Sequence, residues 1–290
     1  MVSTSATGMT PARGVALAAA AVLAVGLGCR PAAAAGFSPD EGFTADGKYQ
    51  WAVELGMYGY LPHIDASVGG LGPRGGVGTS SSVTAANLVE ALQGGFFGDG
   101  LVRYGPWSAE YNVAWVDLAK KTSVSVPALG RSVGLKASMS LVMVTAGVGY
   151  EVFRGALDSV PASVDVRGGV QYLYVNPKLS TDANIVGGAS ADLSATVPWV
   201  GLRGAIYPSE KWRVEFIGNL GGLGVDDGSV NWATTLQVSY LVTDWFDLTF
   251  GVSAVGLNRM RHHDTLLGTT TQQSIHLLMV GPVIGAAVRF

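Results

Sequence analysis

The 290-residue chain is 48% hydrophobic but only 13% charged, carries 41 glycines and has a formal net charge of −3. Soluble domains average about a quarter charged residues, and so much glycine disfavours long helices and favours strands with tight turns. With no basic block and no basic–aromatic interleaving, the composition also argues against a nucleic-acid partner.

The N-terminus has the layout of a secretory signal peptide, 1–35. Arg13 supplies the positive charge, Val15–Gly28 is a continuous apolar run, and Ala32–Ala35 gives small residues for cleavage before Gly36. The single cysteine, Cys29, falls inside this segment, so the mature chain has no thiolate metal site and needs no disulfide framework. No apolar run beyond it reaches the ~18 residues of a helical membrane span. Residues 36–48 are polar and glycine-rich, and read as a periplasmic lead-in rather than a domain; 49–290 is the body of the protein.

In chain order, period-two alternation predicts ten strands, with successive side chains on opposite faces. The first, 49–61, puts Trp51, Val53, Leu55 and Met57 on one side and Gln50, Ala52, Glu54, Gly56 and Tyr58 on the other. A long irregular region, 62–94, follows. Within it Ala85, Leu88, Val89 and Leu92 recur at helical spacing and predict a short amphipathic helix over 83–92, too short to stand alone and expected to dock at a barrel mouth. The next strands are 95–104, 107–119, 134–153 with a bulge expected near 141–144, and 163–175. The remaining five are 199–207, 212–221, 229–241, 245–257 and 274–290. Polar loops are expected over 120–133, 176–198 and 258–273.

The apolar faces fit either the core of a soluble sandwich or the lipid-facing outside of a membrane barrel. Two features favour the barrel. Connection lengths alternate, long at one end and tight at the other, as they do when the ends face different compartments. The chain also ends in alternating Ile284, Ala286, Val288 and terminal Phe290, of which Ile284, Val288 and Phe290 read as a C-terminal insertion signature. The predicted fold is therefore all-β, an antiparallel up-and-down transmembrane barrel with a helix in its first external loop. It is placed in a Gram-negative outer membrane after signal-peptide cleavage. Outer-membrane lipid, lipopolysaccharide and the barrel-assembly machinery are the implied partners. The segments GLRGAIYP (Gly201–Pro208), Trp212, GNLGGLGV (Gly218–Val225), GSVNW (Gly228–Trp232) and the terminal VRF resemble an uncharacterised ten-stranded outer-membrane β-barrel family of proteobacteria. That resemblance implies fold and topology and no activity.

The inward faces collect Glu54, Asp99, Glu110, Asp165, Glu215 and Asp247 against Arg103, Lys136, Arg167, Arg203, Arg213 and Arg289. Acids and bases in equal number are what a narrow lumen needs if no charge is to be isolated, so the expected function is a structural or surface role, with at most narrow passage of small solutes through a largely filled lumen. The alternative is a surface hydrolase. Its residues would come from the external cluster Arg259, Arg261, His262, His263 and Asp264, where two of the four histidines are adjacent. The spacing departs from the acid–histidine motifs of the omptin proteases, and a solvated basic loop beside lipopolysaccharide phosphates is the plainer reading. No catalytic constellation, metal-ligand spacing or cofactor motif stands out.

Overall fold

The computed structural model describes residues 36–69, 79–83, 85–126, 131–181, 189–190, 193–222, 230–258, 262–266 and 269–290; the expected signal peptide lies outside them. All ten predicted strands form, and they close into an antiparallel barrel. In chain order the elements are β1 (Trp51–Tyr60), β2 (His63–Gly69), β3 (Thr79–Val83), α1 (Ala85–Ala91), β4 (Leu92–Tyr104), β5 (Trp107–Val126), β6 (Arg131–Leu157) and β7 (Val160–Thr181). Then follow β8 (Ala189–Ser190), β9 (Leu193–Ser209), β10 (Trp212–Gly221), β11 (Val230–Thr243), β12 (Phe246–Asn258), β13 (His262–Leu266) and β14 (Thr269–Arg289). The wall runs β1-β4-β5-β6-β7-β9-β10-β11-β12-β14, and β14 closes it by pairing with β1 from Glu54↔Arg289 to Tyr60↔Val283.

One end is made of two-residue turns at 105–106, 158–159, 210–211 and 244–245. Asp158 and Ser159 both have positive φ, 48° and 75°, the twist that suits a tight hairpin. Just above these turns lies a girdle of outward aromatics in cross-strand register. Trp51 meets Tyr104 at 4.7 Å between ring centroids, Trp107 meets Tyr150 at 4.9 Å and Trp212 meets Tyr240 at 4.7 Å. Above the girdle the outer face exposes Met57, Val166, Phe216, Leu236, Val252 and Ile284. An apolar band over an aromatic girdle is the exterior of a membrane barrel. The face carrying Leu236 is thus the outside, and Arg213, Glu215 and Gln237 point inward, as the alternation predicts.

At the other end the sequence reading needs correction. The expected loops at 120–133, 176–198 and 258–273 are in large part sheet. β5 and β6 stay paired up to Val126↔Arg131, β7 runs to Thr181, and β13 folds back on β14 with His262 opposite Gln273. A strand of ~20 residues at ~3.3 Å per residue and ~45° tilt rises about 45 Å, well beyond the ~25 Å apolar band. Their many Ser, Thr, Lys and Gln residues read as loop, although Val124 and Val126 still alternate with Ser123 and Ser125. The expected bulge at 141–144 is absent: pairing is regular there, and the register shifts instead between Glu151 and Phe153, next to the turn.

The irregular region after β1 is also more ordered than expected. β2 continues the line of β1 along β14 in the same register, with the Leu61 N–H reaching the Pro282 carbonyl at 3.3 Å between them, and β3 folds back on β2. The helix is shorter than predicted and Leu92 is already the first residue of β4. α1 lies against β5, yet Val89 and Leu92 are exposed rather than docked.

The lead-in, read from sequence as merely polar, packs against the turn end of the barrel. The Phe37 N–H donates to the Glu210 carbonyl at 2.6 Å, and the Gly42 carbonyl accepts from Gln50 at 2.8 Å and from Gly105 at 3.0 Å. The Phe37 ring is 2% exposed and clusters with Ala205, Tyr207 and Leu241. Further out, the Lys48 ammonium 2.6 Å from Asp46 holds that carboxyl below its ordinary value.

Candidate functional site

The lumen is where a passage or a reaction would occur, and its lower half is crossed by ion pairs, some of which join strands that are not neighbours in the wall. Arg213 on β10 forks onto Glu54 of β1 through two hydrogen bonds of 2.8 Å. Its Nε lies 3.6 Å from Glu215, which takes a 2.7 Å hydrogen bond from Gln237. Arg203 on β9 links Glu215 at 3.5 Å to Glu110 of β5 at 3.4 Å. Arg167 on β7 gives both carboxylate oxygens of Glu110 a 2.7 Å hydrogen bond and reaches Asn219 at 2.6 Å. At the other end of the chain Arg289 sits 3.6 Å from Glu54 and pairs closely with Glu41 of the lead-in. The sequence Arg167–Glu110–Arg203–Glu215–Arg213–Glu54–Arg289–Glu41 is therefore one connected string from wall to wall.

A second group lies beside it. Arg103 binds Asp165 through 2.6 and 3.2 Å hydrogen bonds and Glu151 at 3.3 Å, and Arg154 donates to Glu151 at 2.7 Å while its guanidinium lies 3.4 Å over the Phe43 ring. All nine interior residues singled out from sequence (Glu54, Asp99, Arg103, Glu110, Asp165, Arg167, Arg203, Arg213 and Glu215) lie on lumen-facing strand positions. Eight of them join these two groups. Asp99 does not: among the described residues no cation or donor lies within bonding distance of it. Asp247 is fully buried, receives only the Thr249 hydroxyl at 3.4 Å and makes no ion pair among the described residues. The side chain of Lys136 lies outside those described.

Sequence reasoning missed Glu41, Glu151, Arg154 and Phe37. Glu151 sits at the register shift, where alternation no longer tells inside from outside. The lead-in carries no periodic signal at all. There the guanidinium carbons of Arg213 and Arg289 lie 4.7 and 4.6 Å from the Phe37 ring centroid, so one aromatic side chain caps two lumen cations. A cavity of about 400 Å³ remains between the lead-in and the wall, lined by Glu41, Gln50, Glu54, Leu101, Arg103 and Arg289 among others.

Apart from Asp99, the contacts among the described residues of the upper lumen are between uncharged groups. Asn112 donates to the Tyr58 hydroxyl at 2.7 Å, the Tyr60 hydroxyl donates to the Met279 carbonyl at 3.1 Å, and Gln171 reaches Thr145 at 3.3 Å. Of the external cluster, Arg259 and Arg261 lie outside the described residues. His262, His263 and Asp264 are on β13 rather than in a loop, with Gln273, Gln272 and Thr271 as their backbone partners. Among the described residues no group of three or more histidine, cysteine or acidic side chains is placed to hold a metal ion. At the C-terminus Ile284 is exposed on the outer face, Val288 pairs with Leu55 and Phe246, and the Phe290 N–H donates to the Val53 carbonyl at 2.9 Å.

No protein-family model matches this sequence, and no curated protein does. Among solved structures, the outer membrane protease OmpT of Escherichia coli superposes with a TM-score of 0.48 at 8% identity, over 83% of this chain and 97% of that one. The translocator domain of the autotransporter NalP of Neisseria meningitidis gives 0.40 at 12% identity, over 96% and 97%. Ail, the attachment invasion locus protein of Yersinia pestis, in complex with sucrose octasulfate gives 0.35 at 11% identity, over 83% and 99%. The proteins this chain is similar to are outer-membrane barrels that differ widely in role.

Proposed function

We propose that the protein is a Gram-negative outer-membrane barrel with a structural or surface role, whose lumen is closed to all but very small solutes. The observation that carries this reading is the connected string of buried ion pairs from Arg167 to Glu41, which joins β7, β5, β9, β10, β1, β14 and the lead-in across the lumen. Eight-stranded barrels are about filled by side chains, whereas those of sixteen or more leave a channel. Ten strands lie near the filled end, and here paired long side chains meet across the middle. The polar sheet that rises beyond the apolar band supplies a surface for lipopolysaccharide, and the C-terminal alternation supplies the feature that the assembly machinery would read.

Planar-bilayer recording on the mature chain tests this. Conductance steps of porin size would overturn it. Removing 36–48 alone should leave the barrel nearly silent, because Arg213 still meets Glu54. Glu54→Ala with Arg213→Ala should open a measurable path. The hydrolase reading has its own test: His262→Ala, His263→Ala and Asp264→Ala together should abolish any surface hydrolysis detected on whole cells, and unchanged hydrolysis would remove the site.

A further inference from the structure

One junction in the wall differs from the rest. Along the wall each strand is followed by the next in chain order, and a turn or a longer segment joins the two. β14 and β1 are the last and the first, and no connection joins them. That seam is held by its ladder, Glu54↔Arg289 to Tyr60↔Val283, and by side chains. Its mouth end is continued by the pairing of β14 with β2, from Val280↔His63 to Ser274↔Gly69. Its turn end stops at Val53 and Phe290, which exchange backbone hydrogen bonds of 3.0 and 2.9 Å. A free ladder end is where a sheet opens locally.

The lead-in crosses that end. On the β1 side the Gly42 carbonyl accepts from the N–H of Gln50, next to β1, and from that of Gly105 in the β4–β5 turn. Gly42 is held at φ 91°, and a Cβ atom there would lie 3.0 Å from the Gly105 carbonyl oxygen. On the β14 side Glu41 pairs closely with Arg289, and the Phe37 ring centroid lies 4.6 Å from its guanidinium carbon. Glu54 of β1 is 3.6 Å from Arg289, and both its oxygens already take 2.8 Å hydrogen bonds from Arg213. The Arg289 side chain is therefore held chiefly by the lead-in. Phe37 is in turn anchored away from the seam, through the Glu210 carbonyl and its cluster with Ala205, Tyr207 and Leu241.

The lead-in is also separable from the wall. The cavity of about 400 Å³ beneath it means that it meets the barrel at discrete points rather than as a packed layer. Its anchors lie on β9, β11, β14 and the turns after β4 and β9, which come together only in the closed barrel. It can dock only on a finished wall.

We propose that residues 36–48 form a latch on the β1–β14 seam: Glu41 and Phe37 hold the Arg289 end of β14 against the start of β1, and undocking the lead-in frees that end to part. Contacts made only after closure slow unfolding and leave the folding rate unchanged. The latch therefore sets how long the closed barrel lasts rather than how fast it forms. It rests on closure of the barrel, and stands whether or not the lumen conducts.

The test uses the mature chain folded into phosphatidylcholine vesicles, with heat-modified gel mobility as the check on folding. Phe37→Ala with Glu41→Ala should raise the unfolding rate in urea by about tenfold or more and change the folding rate by less than about twofold. Gly42→Val, which strains the docked lead-in and leaves every charged side chain in place, should act in the same direction. Amide exchange should quicken at 53–57 and 286–290 and stay unchanged in the β10–β11 ladder. Leu55→Cys with Val288→Cys puts a disulfide across the seam at a ladder pair, whose Cα separation of ~5.5 Å or less is within disulfide reach. The chain's own Cys29 lies in the expected signal peptide and does not interfere. In the oxidised background the Phe37 and Glu41 changes should alter the unfolding rate by less than about twofold, and reduction should restore their effect. An unfolding rate unaltered by both lead-in variants would overturn the proposal, as would exchange that quickens evenly around the barrel. So would a full effect that persists across the oxidised seam.

Discussion

The two ends of the barrel solve different problems with the same strands. At the turn end, arginines and carboxylates from opposite sides of the lumen meet in pairs, Phe37 caps two of the cations, and the connections are two residues long. Toward the mouth the described contacts, Asp99 apart, are between neutral polar groups, and the sheet continues as paired extensions. The difference follows from what surrounds each. Charge inside a narrow, water-poor space must be paired, whereas a strand with water on both faces needs only its backbone partners. The turn half should therefore be sensitive to single side chains and the mouth half tolerant of them.

The largest effect should come from breaking the string where it crosses the lumen. Arg213→Ala leaves Glu54 without its closest cation and Glu215 without one of its two, and is expected to cost roughly 3–5 kcal/mol, read as a lower urea midpoint of the folded barrel in lipid. If it costs under 1 kcal/mol, the pairs are wetter than the geometry indicates and the contrast between the two ends falls. Next is Leu236→Arg on the outer face, expected to cost about 2–4 kcal/mol at mid-band, measured in the same way. The matching change Thr271→Arg on the mouth extension should stay within about 0.5 kcal/mol. A smaller loss, about 1 kcal/mol, should follow Ser239→Ala, which removes the 2.8 Å hydroxyl contact with Thr249 in the buried turn half. The smallest change should be a gain. Ser159→Gly relieves a residue held at φ 75° and should stabilise the hairpin by up to about 1 kcal/mol. A loss there would mean that the serine side chain holds the turn together.

Much of this was legible in the residues, and the illegible parts have physical causes. The strands within the apolar band were readable because lipid on one side and a polar lumen on the other impose strict alternation; 212–221 was placed to the residue. The nine interior charges were found by the same parity. Their partners were not, because Arg213 and Glu54 are 159 residues apart and only closure brings them together. The mouth extensions were read as loops because they are rich in Ser, Thr, Lys and Gln. The lead-in was read as inert because a lone Phe37 among polar residues carries no periodic signal.

By itself, then, the sequence determined strand number, which face meets lipid, the tight-turn girdle and the stock of interior charge. These depend on local alternation, and local alternation is written residue by residue. The tertiary structure alone decided which charges pair across the lumen, that the N-terminal segment covers two arginines, and that the β1–β4 ladder ends at Met57↔Gly98. Each of those depends on registers and closures between residues far apart in the chain, and no local pattern records them.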